Sequence, residues 1–177
     1  MTTPLVLTFV GEDRPGLISA IAEKVAACGA TWLESRSVRL AGKFAGVVLV
    51  SVPDDRFMEL ELSLRDLAPA RLRISIERGA TAEAERPART VSLGILGRER
   101  PGIVRDVTQA LGRLGVNIEE FMSGLESEPF TGAEMFRAKA RLSVPDGLGL
   151  DDLRKALERL AGEIMVDLAV GESEPGS

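Results

Sequence analysis

Val10-Gly11-Glu12-Asp13-Arg14-Pro15-Gly16-Leu17-Ile18 is answered later in the chain by Leu96-Gly97-Arg98-Glu99-Arg100-Pro101-Gly102-Ile103-Val104. Gly11 and Gly97, Arg14 and Arg100, Pro15 and Pro101, and Gly16 and Gly102 coincide at an offset of 86. Working outward at that offset, Leu5, Leu7 and Phe9 meet Val91, Leu93 and Ile95. Leu17, Ile18, Ile21, Val25 and Cys28 meet Ile103, Val104, Val107, Leu111 and Leu114, and Gly29 meets Gly115. Agreement over such a span identifies an internal repeat. The offset then grows to 92, where Phe44 meets Phe136 and Ser51-Val52-Pro53 meets Ser143-Val144-Pro145. Six extra residues therefore lie between Glu120 and Phe136, and the turn-rich stretch from Glu126 to Gly132 is where they are expected.

Each copy reads as the same series of elements. Leu5, Leu7 and Phe9 alternate as a strand does, and Leu17, Ile21, Val25 and Cys28 form one helical stripe ended by Gly29. Pro15 and Pro101 suit a helix start, where a missing N–H is not needed. A strand follows from about Thr31 to Leu40, and Ala41-Gly42-Lys43 turns it back as a hairpin into Val47–Val52. Phe57, Leu60, Leu64 and Leu67 make a second helical stripe, matched by Leu150, Leu153, Leu157 and Leu160. Leu72, Ile74 and Ile76 alternate as the last strand of the first copy.

The order β-α-β-β-α-β predicts an α+β fold: a four-stranded antiparallel sheet with two helices on one face, the ferredoxin-like pattern, twice in tandem. The expected domains are residues 1–78 and 90–170. Residues 79–89, rich in Ala, Glu, Arg and Pro, read as an exposed linker, and 171–177 as a flexible polar tail.

Composition narrows the function classes. Among 177 residues, 22 Lys and Arg stand against 27 Asp and Glu, a net charge of −5, with no basic block or basic amphipathic helix. Nucleic-acid affinity rests on clustered cations, so direct nucleic-acid binding is not expected, and neither is membrane-surface binding. No apolar run approaches the roughly 20 residues of a membrane span. Met1-Thr2-Thr3-Pro4 lacks the basic, apolar start of a secretory signal, and Cys28 is the only cysteine. Together these predict a cytoplasmic protein. The chain has no histidine, which excludes histidine triads, histidine-ligated zinc and histidine general bases. No metal and no cofactor are expected.

The chemistry is expected at the turn between first strand and first helix. A helix N-terminus offers unpaired amides and partial positive charge, a favourable place for a carboxylate or phosphate. Gly16 and Gly102 allow close approach to the backbone. Asp13 and Glu99 either cap the helix or hold an ammonium group, and Arg14 and Arg100 either grip a carboxylate in bidentate fashion or stay solvated.

Asp13-Arg14-Pro15-Gly16-Leu17, Glu99-Arg100-Pro101-Gly102-Ile103, and the Gly115-Val116-Asn117-Ile118 entry to the second strand resemble the ACT family over about residues 4–77 and 90–170. That resemblance implies binding of a small amino acid at domain interfaces, near this turn and the second strand. The implied ligand residues are therefore Asp13, Arg14, Pro15, Gly16, Leu17 and Thr31 in one copy, and Glu99, Arg100, Pro101, Gly102, Ile103 and Asn117 in the other. Two copies without a catalytic domain, Glu34-Ser35-Arg36 and the longer second hairpin are most similar to stand-alone tandem ACT repressors of the glycine cleavage type. This implies a non-enzymatic regulator sensing glycine and acting through a LysR-type activator. The alternative is the regulatory subunit of an amino-acid metabolic enzyme. Thr31 against Asn117, and Asp13 against Glu99, predict unequal sites.

Trp32 and Cys28 read as core residues. Glu119 and Glu120 are adjacent on a strand, so they are expected to point to opposite faces and not to share a substrate. Ala45, Val47 and Leu49 predict an apolar open sheet face that a second protomer or the other domain would cover. The copies are expected side by side, with further homo-oligomeric association through that face. Arg137, Lys139 and Arg141 predict a basic stripe in the second copy, either solvated or facing an acidic partner.

Overall fold

The computed structural model describes residues 1–67, 72–79, 89–128, 132–159 and 164–170. The chain divides into two compact units, Met1–Ala84 and Glu85–Ser177. In the first, β1 (Thr2–Glu12) leads to α1 (Leu17–Ala27), β2 (Thr31–Leu40) and β3 (Lys43–Pro53). A short 3₁₀ turn (Asp54–Arg56), α2 (Phe57–Arg65) and β4 (Leu72–Arg78) complete it. In the second, β5 (Arg89–Arg98), α3 (Ile103–Arg113), β6 (Asn117–Ser127), β7 (Glu134–Val144), α4 (Leu150–Glu158) and β8 (Ile164–Val170) repeat the order. The sheets run β2-β3-β1-β4 and β6-β7-β5-β8, with every neighbouring pair antiparallel. This is the α+β, ferredoxin-like βαββαβ topology, twice.

The alternation of β1 puts Leu5, Leu7 and Phe9 on the face that also carries Val48, Val50, Val52 and Leu72. Leu17, Ile21 and Val25 of α1 and Leu60 and Leu64 of α2 close over them. Fully burying one such side chain is worth roughly 1.5–3 kcal/mol, which is what selects this face for the core. Cys28 joins that core, and Trp32 is half-buried against it. The second core repeats the arrangement with Val91, Leu93, Ile95, Val107, Leu111, Leu142, Val144, Leu153 and Leu157.

The hairpins account for the six extra residues. Ala41 and Gly42 have φ of 48° and 75°, the two positive values of a type I′ turn, and they join β2 to β3 directly. In the second unit the strands pair one step further, Ser127 with Glu134, before residues 128–133 connect them. The expected linker 79–89 falls partly on β5, which begins at Arg89; residues 80–88, Leu160 and the tail 171–177 lie outside the described residues.

One expectation is corrected. Register shifts between Trp32 and Glu34, and at the equivalent place between Ile118 and Glu120, mark a β-bulge in each unit. A bulge interrupts the alternation of side chains. Glu119 and Glu120 consequently converge: their carboxylates lie 2.9 and 3.5 Å from the guanidinium of Arg141.

Candidate functional site

Both first turns share one backbone solution. Gly16 and Gly102 immediately precede their helices with φ of 88° and 90°, a left-handed conformation that glycine alone adopts without strain. The helices therefore begin at Leu17 and Ile103, two residues beyond Pro15 and Pro101, and the prolines sit in the turn rather than in the first helical position. Neither helix has a side-chain cap. Asp13 and Glu99 are thus not helix caps. Their backbone amides bond instead to the hairpins, Asp13 to the Gly42 carbonyl at 3.0 Å and Glu99 to the Glu134 carbonyl at 3.2 Å.

A cavity of about 170 Å³ lies at the first turn, lined by Asp13, Arg14, Gly16, Leu17, Ile18, Ser19 and Phe44. One of about 270 Å³ lies at the second, lined by Glu99, Arg100, Gly102, Ile103, Val104, Ser123, Gly124, Leu125 and Phe136. Leu17 and Ile103 are core residues, 4% and 3% exposed, so they form floors rather than polar contacts. Ile18, Ser19, Phe44 and, in the second unit, Val104, Ser123–Leu125 and Phe136 were not among the expected site residues. The matching phenylalanines at offset 92 were the available signal for two of them.

The charged groups are disposed differently in the two turns. Asp13 accepts a hydrogen bond from Arg39 at 3.3 Å. Arg100 instead donates to Asp106 of α3 at 2.7 Å, and Arg105 donates to the other oxygen of that carboxylate at 2.9 and 3.0 Å. The Arg100 hydrogen bond first, and then those of Arg105, hold the Asp106 carboxyl below its ordinary pKa.

Thr31 and Asn117 are not brought to these turns. Glu12, beside the turn, pairs with Lys43, whereas Thr31 pairs with Ser51, eight residues further along β3. At about 3.3 Å per residue the two lie roughly 26 Å apart, at opposite ends of one sheet. Asn117 pairs with Ser143 in the same way. It is the far half of β6, Ser123–Leu125, that reaches the second turn.

The open sheet faces differ as the alternation predicts. Val47 is 39% exposed, with Ala45 and Leu49 half-buried beside it. Arg137, Lys139 and Arg141 face outward from β7, but the stripe is largely compensated: Arg137 pairs with Glu126 at 2.8 Å, and Arg141 with Glu119 and Glu120. Among the described residues, no group of three or more His, Cys, Asp or Glu side chains is arranged to hold a metal, and no helix is long and apolar enough to cross a membrane.

Known proteins share these features. The ACT domain family model matches residues 3–77. Residues 3–77 are an ACT domain. The second unit, which that match does not reach, repeats the same βαββαβ topology. Phosphoserine phosphatase SerB2 of Mycobacterium tuberculosis is 34% identical over 172 residues, covering 94% of this chain. The chain spans only 40% of that protein's length. The glycine cleavage system transcriptional repressor of Escherichia coli is 24% identical over 90% of this chain and 85% of its own. Among solved structures, a protein of unknown function from Galdieria sulphuraria superimposes with a TM-score of 0.85 at 28% identity, covering 97% of this chain and all of that one. A putative glycine cleavage system transcriptional repressor has the same fold, with a TM-score of 0.71 at 19% identity over 97% of this chain and 99% of its own.

Proposed function

We propose that this tandem ACT chain is a non-enzymatic sensor of a small amino acid, glycine foremost, that modulates transcription through a LysR-type activator. The observation that carries the reading is the first turn. A left-handed glycine there starts an uncapped helix beside a cavity of about 170 Å³ with Asp13 and Arg14 on its wall. Amides and positive dipole suit the ligand's carboxylate, and an acidic side chain suits its ammonium group. A second reading is favoured by the 34% identity to phosphoserine phosphatase SerB2: the chain regulates an amino-acid enzyme, with serine as its signal.

The proposed ligand residues remain Asp13, Arg14, Pro15, Gly16 and Leu17 at the first turn and Glu99, Arg100, Pro101, Gly102 and Ile103 at the second. Thr31 and Asn117 join such a site only across an interface, because each lies far from its own turn. The apolar outer face around Val47 supports homo-oligomeric association. Calorimetric titration with glycine and L-serine tests sensing, and heat from neither sinks it. Co-purification separates the readings: a LysR-type regulator supports the first, an amino-acid enzyme the second. A monomer by light scattering at high concentration refutes self-association.

A further inference from the structure

We infer that two copies of this chain pair through the open sheet face of the first unit, about a two-fold axis that sets Glu77 of each copy into the cavity beside Arg73 of the other. This rests on the proposed self-association of the apolar face around Val47 and adds the geometry that fixes it.

Cross-strand neighbours share a face. On the open side of the first sheet, β3 presents Ala45, Val47 and Leu49, and β1 presents Val10, Thr8 and Val6 beside them. These middle columns carry no charge, and Val47 is 39% exposed. The charges stand on the two outer strands. On β2, Arg36 meets Glu34 at 3.1 Å. On β4, Arg73 lies beside Val10 and Glu77 beside Val6, and among the described residues neither has an ion pair. Arg73 borders a cavity of about 180 Å³ with Val10, Gly11, Glu12 and Lys43. Glu12 lies 4.0 Å from Lys43, so Arg73 leaves that lining with a net positive charge, which suits a carboxylate.

The spacing on β4 makes the face complementary to itself. Arg73 and Glu77 are four residues apart, about 13 Å along the strand, with Ser75 and its neighbour Thr8 midway. A two-fold axis across the strands at that row lays each Glu77 over Arg73 of the other copy, and Val47 over Val47. Packed sheets lie roughly 10 Å apart, a gap that a glutamate and an arginine together span. Arg36 meets its own copy at the edge, where Glu34 compensates it. An axis along the strands would instead set Glu77 against Glu34, a like-charge contact.

The second unit's open face has the reverse pattern. Its β7 puts Arg137, Lys139 and Arg141 where β3 has Ala45, Val47 and Leu49. Its β8 puts Met165 and Ala169 where β4 has Arg73 and Glu77. Such a face would bury charges against valines and leave Arg73 and Glu77 unanswered. The complement of the first face is therefore the same face on another copy.

Sedimentation equilibrium of the full chain, with no amino acid added, tests this. The unaltered chain is expected to dimerise. Arg73→Glu and Glu77→Arg are each expected to raise the dissociation constant at least about tenfold, because each sets like charges at both contacts. The double variant that exchanges the two is expected to recover most of that loss. Val47→Lys, which gives the centre the residue of the second unit, is expected to leave a monomer. Circular dichroism checks folding, and Glu77→Gln, expected to weaken the dimer less, stands in if a reversal folds poorly. A monomeric unaltered chain, or a dimer indifferent to Val47→Lys, overturns the inference together with self-association through this face. A dimer lost in Val47→Lys but indifferent to the reversals, or not recovered by the exchange, overturns the inference and leaves that self-association standing.

Discussion

A β-carbon on Gly46 would lie 2.6 Å from Cζ of the Phe9 ring, and Phe9 in turn stacks at 5.6 Å on Phe44 beside the first cavity. The missing side chain on β3 thus makes room for the ring on β1 and for the backbone carbonyl of Arg36 on β2, which would also lie 2.6 Å away. The second unit fills the same position with a smaller first-strand residue and a larger third-strand one, Ile95 and Ala138. Gly46→Ala is expected to destabilise the fold by about 1–3 kcal/mol through overpacking. Joined with Phe9→Ile it should cost less than the two single changes added, and a double-mutant cycle by urea denaturation reads that coupling. Strict additivity would show that ring and glycine are not paired.

Gly16 tests the turn by backbone alone. At φ of 88°, with open space around it, an alanine meets no atom and carries only the conformational penalty. Gly16→Ala is expected to cost on the order of 1–2 kcal/mol in urea denaturation. An unchanged midpoint would mean that the left-handed conformation is not held.

Asp106 sets a pH dependence. Its carboxyl lies below its ordinary pKa, first through the Arg100 hydrogen bond and then through Arg105. Ionised Asp106 therefore stabilises the fold fully above the ordinary aspartate value, and that contribution is lost as pH falls through the lowered one. Asp106→Asn is expected to flatten the acid limb of a stability-against-pH curve, with the two proteins drawing together at the lowest pH. Parallel acid limbs would remove the pairing from consideration.

Arg141 is the common partner of two carboxylates, and all three side chains are about one-third exposed. Exposed pairs contribute little, so Arg141→Leu, which restores the residue of the first unit (Leu49), should lower stability by no more than about 1 kcal/mol. Added salt should shrink the difference, as screening requires. A loss that persists at high salt would point to packing rather than charge.

Much of this architecture was legible in the residues. Period-two and period-3.6 patterns are properties of neighbouring positions, so Leu5, Leu7 and Phe9, and Leu17, Ile21 and Val25, announce their elements and their buried faces. The change of offset placed the extra hairpin residues between β6 and β7. The turns themselves were legible, with their glycines and charged side chains. The bulges were not: Leu33 and Glu119, which occupy them, share no chemistry, because a bulge is a property of the register between two strands. Nor was the separation of Thr31 from its turn, since closeness in the chain says nothing about which end of a sheet a residue reaches.

By itself the sequence determined that the chain is a duplicated βαββαβ frame, with a proline- and glycine-bearing turn before the first helix of each copy and a core on one face of each sheet. Those follow from local periodicity and from the repeat itself; that the helices start at the left-handed Gly16 and Gly102, beyond the prolines, was decided by the structure. Only the tertiary structure decided which charges meet. Arg39 comes to Asp13 across a hairpin, Asp106 folds back on Arg100, and a bulge turns Glu119 and Glu120 onto Arg141. Electrostatic partnership depends on distances of a few ångströms between residues far apart or differently turned in the chain. Two turns that read nearly alike are therefore chemically different in the folded protein.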